Sequence, residues 1–269
     1  MNFQIINPSE ILSKYIKHYW MLETSANEGV IKERVIPTGN IDLIFHYAKT
    51  LIVQKPNGTE YQQAPFLLSG QNSSYVDVVS SDKIGMIAVV FYPHTAGLFF
   101  NFPLNIIENQ SVCLRELLKE KVELLEEKIA MANNLQSRVE AIENFLFYCL
   151  HDNANKQLEL IVGALKIINQ YRGQINSTQL ANNLGISKKQ LERKFANQIG
   201  KSPKKFIKIV QFQSVLDRAK NMNEEKLSTL AYDNGYFDQA HFIHDFKSHT
   251  GYTPKEFFKL YDGGSDYYG

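Results

Sequence analysis

The spacing of apolar residues changes twice along this 269-residue chain. From Pro8, the residues Ile11, Leu12, Tyr15, Ile16, Tyr19 and Trp20 follow helical spacing, with Ser9 placed as an N-cap, and predict a first helix. After Gly29 the texture turns to β. VIPTGNIDLIFHY, TLIVQKPNGTEYQ with its Asn-Gly turn, PFLLSG, SYVDVV and KIGMIAVVFYP are short apolar runs bounded by Gly, Pro, Ser or Asp, and they predict a small antiparallel sheet or barrel. Over residues 114–132 and 136–151, periodic Leu, Ile, Val and Phe on a charged background predict two helices joined at Asn133-Asn134. The polar run HDNANK, residues 151–156, reads as a linker, and the pattern beyond it is helical.

The helical part contains a repeat. Leu180-Ala181, Gly185, Phe195, Gly200, Pro203 and Phe206 return as Leu230-Ala231, Gly235, Phe246, Gly251, Pro254 and Phe257, at an offset of 50 before the turn and 51 after it. Each copy encodes a short helix, a Gly where a sharp turn demands positive φ, an N-cap (Ser187 or Asp238) and a second helix, which is the helix-turn-helix pattern. In the second copy, Tyr236 and Phe237 are expected to pack the turn, Phe242 and Phe246 to anchor the helix, and Gly251 with Thr253-Pro254 to stop it. The fold class is therefore α+β: an N-terminal small antiparallel β sheet or barrel with a helical hairpin over residues 1–152, and an all-α tandem helix-turn-helix over 156–262.

The second helix of each copy is a candidate for the DNA major groove. Leu191 and Phe195, four apart, face the core, which leaves Lys189, Glu192 and Arg193 on the outer face. In the second copy Phe242 and Phe246 face inward, and Gln239, Ala240, Ile243 and His244 face out. Arg or Lys suits guanine edges, Glu cytosine, Gln adenine, and Ala or Ile the thymine methyl. Lys188, Lys201, Lys204 and Lys205, with the helix N-terminus at Ser187, suit phosphate contacts that fix orientation.

Charge supports this division. The net charge of +1 conceals 12 Lys+Arg against 17 Asp+Glu in residues 1–155, and 17 against 11 in residues 156–269. The basic residues concentrate where the first helix-turn-helix lies: between Gln174 and Val210 there are eight, against the single acidic Glu192. Double-stranded DNA is the polyanion this arrangement fits.

The run STQLANNLGISKKQLERKFANQIGKSPKKF, followed by LSTLAYDNGYFDQAHFIHDFKSHTGYTPKEF, resembles the C-terminal DNA-binding region of the AraC/XylS family of bacterial transcription regulators. The resemblance implies seven helices in two helix-turn-helix units, joined by a linking helix from residue 203 to about 222, with two recognition helices in successive major grooves. An activator is the expected sense of regulation, and RNA polymerase is the expected partner if the chain activates; the sequence itself leaves activation and repression open. One position departs from the family: Gln211, in VQFQSVLDRA, stands where Arg is usual, so an ionic contact there is missing. ERVIPTGNIDLIFHY, FLLSGQ and VVFYPHTAGLFF resemble an uncharacterised sensor-like domain attached to a subset of the same family, which implies a β-rich ligand-binding or dimerising module.

Polar residues inside the β runs are the ligand candidates: Arg34, Asp42, His46, Tyr92 and His94. An enzyme is not expected, because His46 and His94 stand singly and no Cys-His or Ser-His arrangement is readable. His241 and His244 fall on the proposed reader helix, so neither a metal nor another cofactor is expected. Cys113 and Cys149 read as buried free thiols. The hairpin helices could pair with a second subunit, giving a homodimer, or cover the sheet. The N-terminal sequence lacks the pattern of a signal peptide and no window supports a membrane span, so a cytoplasmic protein without membrane partners is expected. The sequence thus reads as a ligand-responsive DNA-binding regulator; the alternative is a small-molecule sensor or dimerisation module acting mainly through protein partners.

Overall fold

The computed structural model describes residues 1–25, 28–100, 102–150, 158–219 and 227–260, so the expected linker at 151–156 lies outside the described residues. Ten strands are described: β1 Asn2–Ile6, β2 Ile16–Glu23, β3 Ile31–Val35, β4 Ile41–His46, β5 Ile52–Gln54, β6 Glu60–Gln62, β7 Phe66–Ser69, β8 Val76–Ser80, β9 Gly85–Phe91 and β10 Ser111–Cys113. They form a six-stranded sheet, ordered β1-β2-β9-β4-β7-β10, and a four-stranded sheet, ordered β3-β8-β5-β6. All the pairings are antiparallel.

The helix expected from Pro8 is not formed. Only Leu12–Lys14 make a short 3-10 turn, and Ile16 onward enters β2. The apolar positions that matched a helix there also match a strand covered on both faces. Tyr19 and Met21 face one core, while Trp20 and Leu22 face another. Strand β9 has the same character, with all seven residues of GMIAVVF buried.

On one face of the larger sheet lie α1 Leu114–Leu118, α2 Glu120–Met131 and α3 Leu135–Cys149. The helix expected over 114–132 is split at Lys119, whose φ is positive at 47°. Val122, Leu125 and Ile129 of α2, with Ile142, Phe145 and Leu146 of α3, join Leu43, Phe45, Val89 and Phe91 in one core. The apolar face of the hairpin therefore covers the sheet. Cys149 is buried there, while Cys113 is only half-buried.

Seven helices follow: α4 Glu159–Gln170, α5 Ser177–Asn183, α6 Lys188–Gln198, α7 Pro203–Ala219, α8 Leu227–Asp233, α9 Gln239–Thr250 and α10 Pro254–Leu260. They enclose two cores, one built on Leu191 and Phe195 and the other on Phe212, Phe242, Phe246 and Phe257. The linking helix α7 feeds both, placing Phe206 in the first and Phe212 in the second.

Candidate DNA-reading face, domain junction and cavity

The first helix-turn-helix is α5 and α6. Asn176 and Gln179 form a reciprocal capping box at the start of α5, Gly185 takes the turn at φ +65°, and the Ser187 hydroxyl accepts from the Gln190 amide at 3.2 Å to start α6. The second is α8 and α9, with Gly235 at φ +75° and the Asp238 carboxylate accepting from the His241 amide at 2.7 Å. Gly251, at φ +77°, ends α9.

With Leu191, Phe195, Phe242 and Phe246 buried, Lys189 and Arg193 on α6 and Gln239, Ala240 and His244 on α9 are exposed; Glu192 and Ile243 are half-buried beside them. Tyr236 is buried against Phe242, with ring centroids 5.1 Å apart. Phe237, expected to pack the turn, is instead 88% exposed. A turn of this tightness turns successive side chains to opposite sides, and Tyr236 takes the inner one.

Gln211 is buried. Its side-chain amide donates to the Asn234 carbonyl at 2.7 Å and its carbonyl accepts from Lys208 at 3.0 Å, so a neutral hydrogen bond ties the linking helix to the second turn where an ionic contact was missing.

The phosphate candidates divide. Ser187, Lys188, Lys204 and Lys205 are exposed, although Lys205 reaches Glu108 at 3.0 Å. Lys201 is withdrawn from the surface: its ammonium donates to the Ser73 hydroxyl at 2.7 Å and to Glu108 at 3.1 Å. Burial pulls its pKa down while Glu108 opposes that shift. Burial would raise Glu108, but the Lys205 and Lys201 ammonium groups outweigh it and hold the carboxyl below its ordinary value.

That pair belongs to a junction between the domains. Gln71 donates to the Ile199 carbonyl at 2.9 Å beside the first unit. Gln213 of α7 donates to the Pro37 carbonyl at 2.6 Å. At the second unit, Arg34 donates to both carboxylate oxygens of Asp77, at 2.7 and 2.9 Å, and to the Thr250 carbonyl at 3.0 Å, with its guanidinium between the rings of Tyr75 and Tyr252.

Between the two β sheets lies a cavity of about 210 Å³. Phe3, Trp20, Ile44, Val78 and Met86 are among its apolar lining, and Glu33, Asp42 and Gln63 among its polar lining. The turn from β3 to β4, residues 36–40, also lines it, and Ile36 packs into the second helical core with Phe212 and Leu216. Burial pushes the Asp42 carboxyl up to about 7, and one of its oxygens, Oδ1, is sealed from solvent with no hydrogen-bond partner among the described residues.

Residues 180–260 match the model of a helix-turn-helix domain, HTH_18, and residues 4–113 match a domain of unknown function, DUF6597. The C-terminal part of the chain is an AraC-type helix-turn-helix DNA-binding domain. The chain is similar in fold to ToxT from Vibrio cholerae O395, 11% identical over 91% of this chain and 99% of that one at a TM-score of 0.47. It is also similar to wild-type ToxT from Vibrio cholerae strain SCE256 with unsaturated fatty acid bound (13% identical, 91% and 98% covered, TM-score 0.48). A third likeness is to the AraC-like transcriptional activator CuxR (13% identical, 72% and 79% covered, TM-score 0.28). No curated protein matches the sequence.

In the N-terminal part the five ligand candidates are not brought together. Asp42 faces the cavity, and Arg34, although beside it, is engaged at the junction. His46 is buried, hydrogen-bonded to Gln63 at 2.9 Å, and burial lowers its pKa to about 4. Tyr92 and His94 line clefts between the domains, outside the sheets. Ser73, Asp77 and Glu108, which hold the junction, carry no local sequence signal, since their partners lie far away along the chain. Among the described residues no helix is long and apolar enough to cross a membrane, and no three His, Cys, Asp or Glu side chains gather as a metal site.

Proposed function

We propose that this regulator reads specific DNA with α6 and α9 in successive major grooves, and that a small molecule held between the β sheets alters that reading. The observation that carries the first part is the pair of exposed reader faces, Lys189 and Arg193 on α6 and Gln239, Ala240 and His244 on α9, each backed by buried Leu or Phe. Glu192 and Ile243 complete the base-reading set, and Ser187, Lys188, Lys204 and Lys205 supply phosphate contacts. Lys201 leaves that set because Glu108 holds its ammonium.

The second part rests on a shared wall. Residues 36–40 line the cavity, and the same turn holds α7 through Pro37 and places Ile36 in the second helical core. A molecule that shifts this turn changes the seat of the linking helix that positions both units. Folded interiors rarely keep voids much larger than a water molecule, so a cavity of about 210 Å³ suits an occupant. Coupling of this kind is reciprocal: an effector that changes DNA affinity is itself bound differently when DNA is present.

Selection of binding sites from random DNA, followed by footprinting at two salt concentrations, tests the reading. The expected result is a protected site with two half-sites about one helical turn apart. Binding without sequence preference would move the function toward protein partners. In vitro transcription with RNA polymerase on the selected fragment separates activation, the sense we assign, from repression.

A further inference from the structure

We propose that the cavity between the β sheets binds an organic ammonium ion with a compact apolar body, and that the Asp42 carboxylate is its anchor. This rests on the reading of the cavity as an effector site and names the class of effector.

The argument begins with strand register. His18 on β2 pairs with Val90 on β9, Val90 pairs with Asp42 on β4, Asp42 pairs with Ser69 on β7, and Ser69 pairs with Ser111 on β10. All five line the cavity, so one row across the larger sheet presents polar groups to it, with Asp42 near the middle. The row one pleat further on, through Trp20, Ala88, Ile44 and Leu67, is apolar. The cavity therefore has a polar row next to an apolar body, which suits a ligand with one charged end.

The sign of that end follows from the charges. Asp42 and Glu33 both line the cavity, and burial raises the pKa of each. Arg34 is the one cationic residue in the described lining, and Asp77 and the Thr250 carbonyl occupy its guanidinium. Burial lowers the pKa of both His18 and His46, so neither ring supplies positive charge near neutral pH. The field of Lys17 offsets only part of the burial effect on Asp42. A ligand ammonium would supply the missing charge and pair with the half-buried Asp42 carboxyl group that lines the cavity, whose Oδ1 has no partner among the described residues. A carboxylate ligand would meet two acidic groups instead.

Three probes of one shape test this on the full chain: 3-phenylpropylamine, 3-phenylpropanol and 3-phenylpropionate. Trp20, the single tryptophan, lines the cavity, so its emission reports occupancy. The amine should bind about tenfold or more tighter than the alcohol or the acid. Asp42→Asn, which keeps shape and loses charge, should remove that preference and leave alcohol binding within about threefold. Calorimetry in buffers of different protonation enthalpy should record proton release on amine binding below about pH 7, because the ammonium selects the ionised carboxyl.

If the alcohol or the acid binds as well as the amine, or if Asp42→Asn binds the amine unchanged, the ammonium assignment is overturned while the cavity stands as an effector site. If none of the three changes Trp20 emission or the thermal midpoint at millimolar concentration, the effector site falls with it. Should Asp42→Asn fail to fold, the contrast among the three probes on the unaltered chain still decides.

Discussion

The Lys201 ammonium and the Glu108 carboxylate meet at 3.1 Å across the two domains, the lysine with no exposed side-chain surface and the glutamate with 20%. Glu108→Ala leaves the Lys201 ammonium buried without its carboxylate, whereas Lys201→Met leaves a carboxylate that is partly exposed and still paired with Lys205 at 3.0 Å. Glu108→Ala should therefore cost about 2 to 4 kcal/mol in urea unfolding, and Lys201→Met should cost about 1 kcal/mol or less. Glu108 has a lowered folded pKa, so its contribution is present above the ordinary carboxylate value and is lost as pH falls through the folded one. Equal losses for the two variants would show that the pair does not behave as a buried ion pair.

The second clamp rests on Gly251. A Cβ at this position would stand 2.6 Å from Arg34 Nη1 and 2.7 Å from the Tyr75 ring, and φ is +77°. Gly251→Ala meets backbone strain and a clash together and should lose about 2 to 3 kcal/mol. Arg34→Ala removes the clashing guanidinium, so Gly251→Ala should cost less in that background. A double-mutant cycle measures this, and simple additivity would mean that the clamp is not the source of the loss.

Where the fold was legible in sequence, local rules were enough. The tandem Gly, Pro and Phe positions placed both helix-turn-helix units, because a positive-φ turn and a four-residue inward spacing leave marks within about a dozen residues. The β runs after Gly29 were legible for the same reason, through their turn residues. The stretch from Pro8 was misread because an apolar pattern with both faces covered fits helix and strand alike. Asp42 was found as a polar residue in an apolar run, but not its isolation, which depends on β2, β7, β9 and β10. Lys201 looked like a phosphate contact because Glu108, 93 residues away, is invisible to any local pattern.

Asp42 also sets a pH dependence. Its folded value of about 7 lies above the ordinary 3.8, so the native state holds a proton that the unfolded chain releases. Stability from this group falls as pH rises from about 4 to about 7 and is level above that. Asp42→Asn should thus gain little over the parent near pH 4 and progressively more toward pH 7, with an upper limit on the order of 4 kcal/mol. Urea midpoints for both proteins across this range measure it. Glu33, also raised by burial, titrates in both and cancels, as do His18 and His46, while the field of Lys17 is already contained in the Asp42 value. A difference independent of pH would show that Asp42 is solvated or paired.

The separation of reader from phosphate residues gives a prediction on DNA itself. Lys189→Ala and Arg193→Ala on α6 each remove a base-edge contact and should cost about 1 to 3 kcal/mol on the selected site, with relaxed preference at one or two base pairs. Lys204→Ala should weaken specific and random DNA alike and reduce the salt slope by about one, because one fewer counterion is released. Lys205 must first leave Glu108, 3.0 Å away, so Lys205→Ala should have a smaller effect than Lys204→Ala, and Glu108→Gln alone, with Lys205 kept, should raise DNA affinity through the freed ammonium. Gln239→Ala and His244→Ala on α9 should change preference about 10 base pairs from the positions affected on α6. Footprints of the four reader variants decide the matter. If the α6 and α9 substitutions alter the same base pairs, the two helices do not occupy successive grooves, and the reading face must be sought elsewhere on the helical domain.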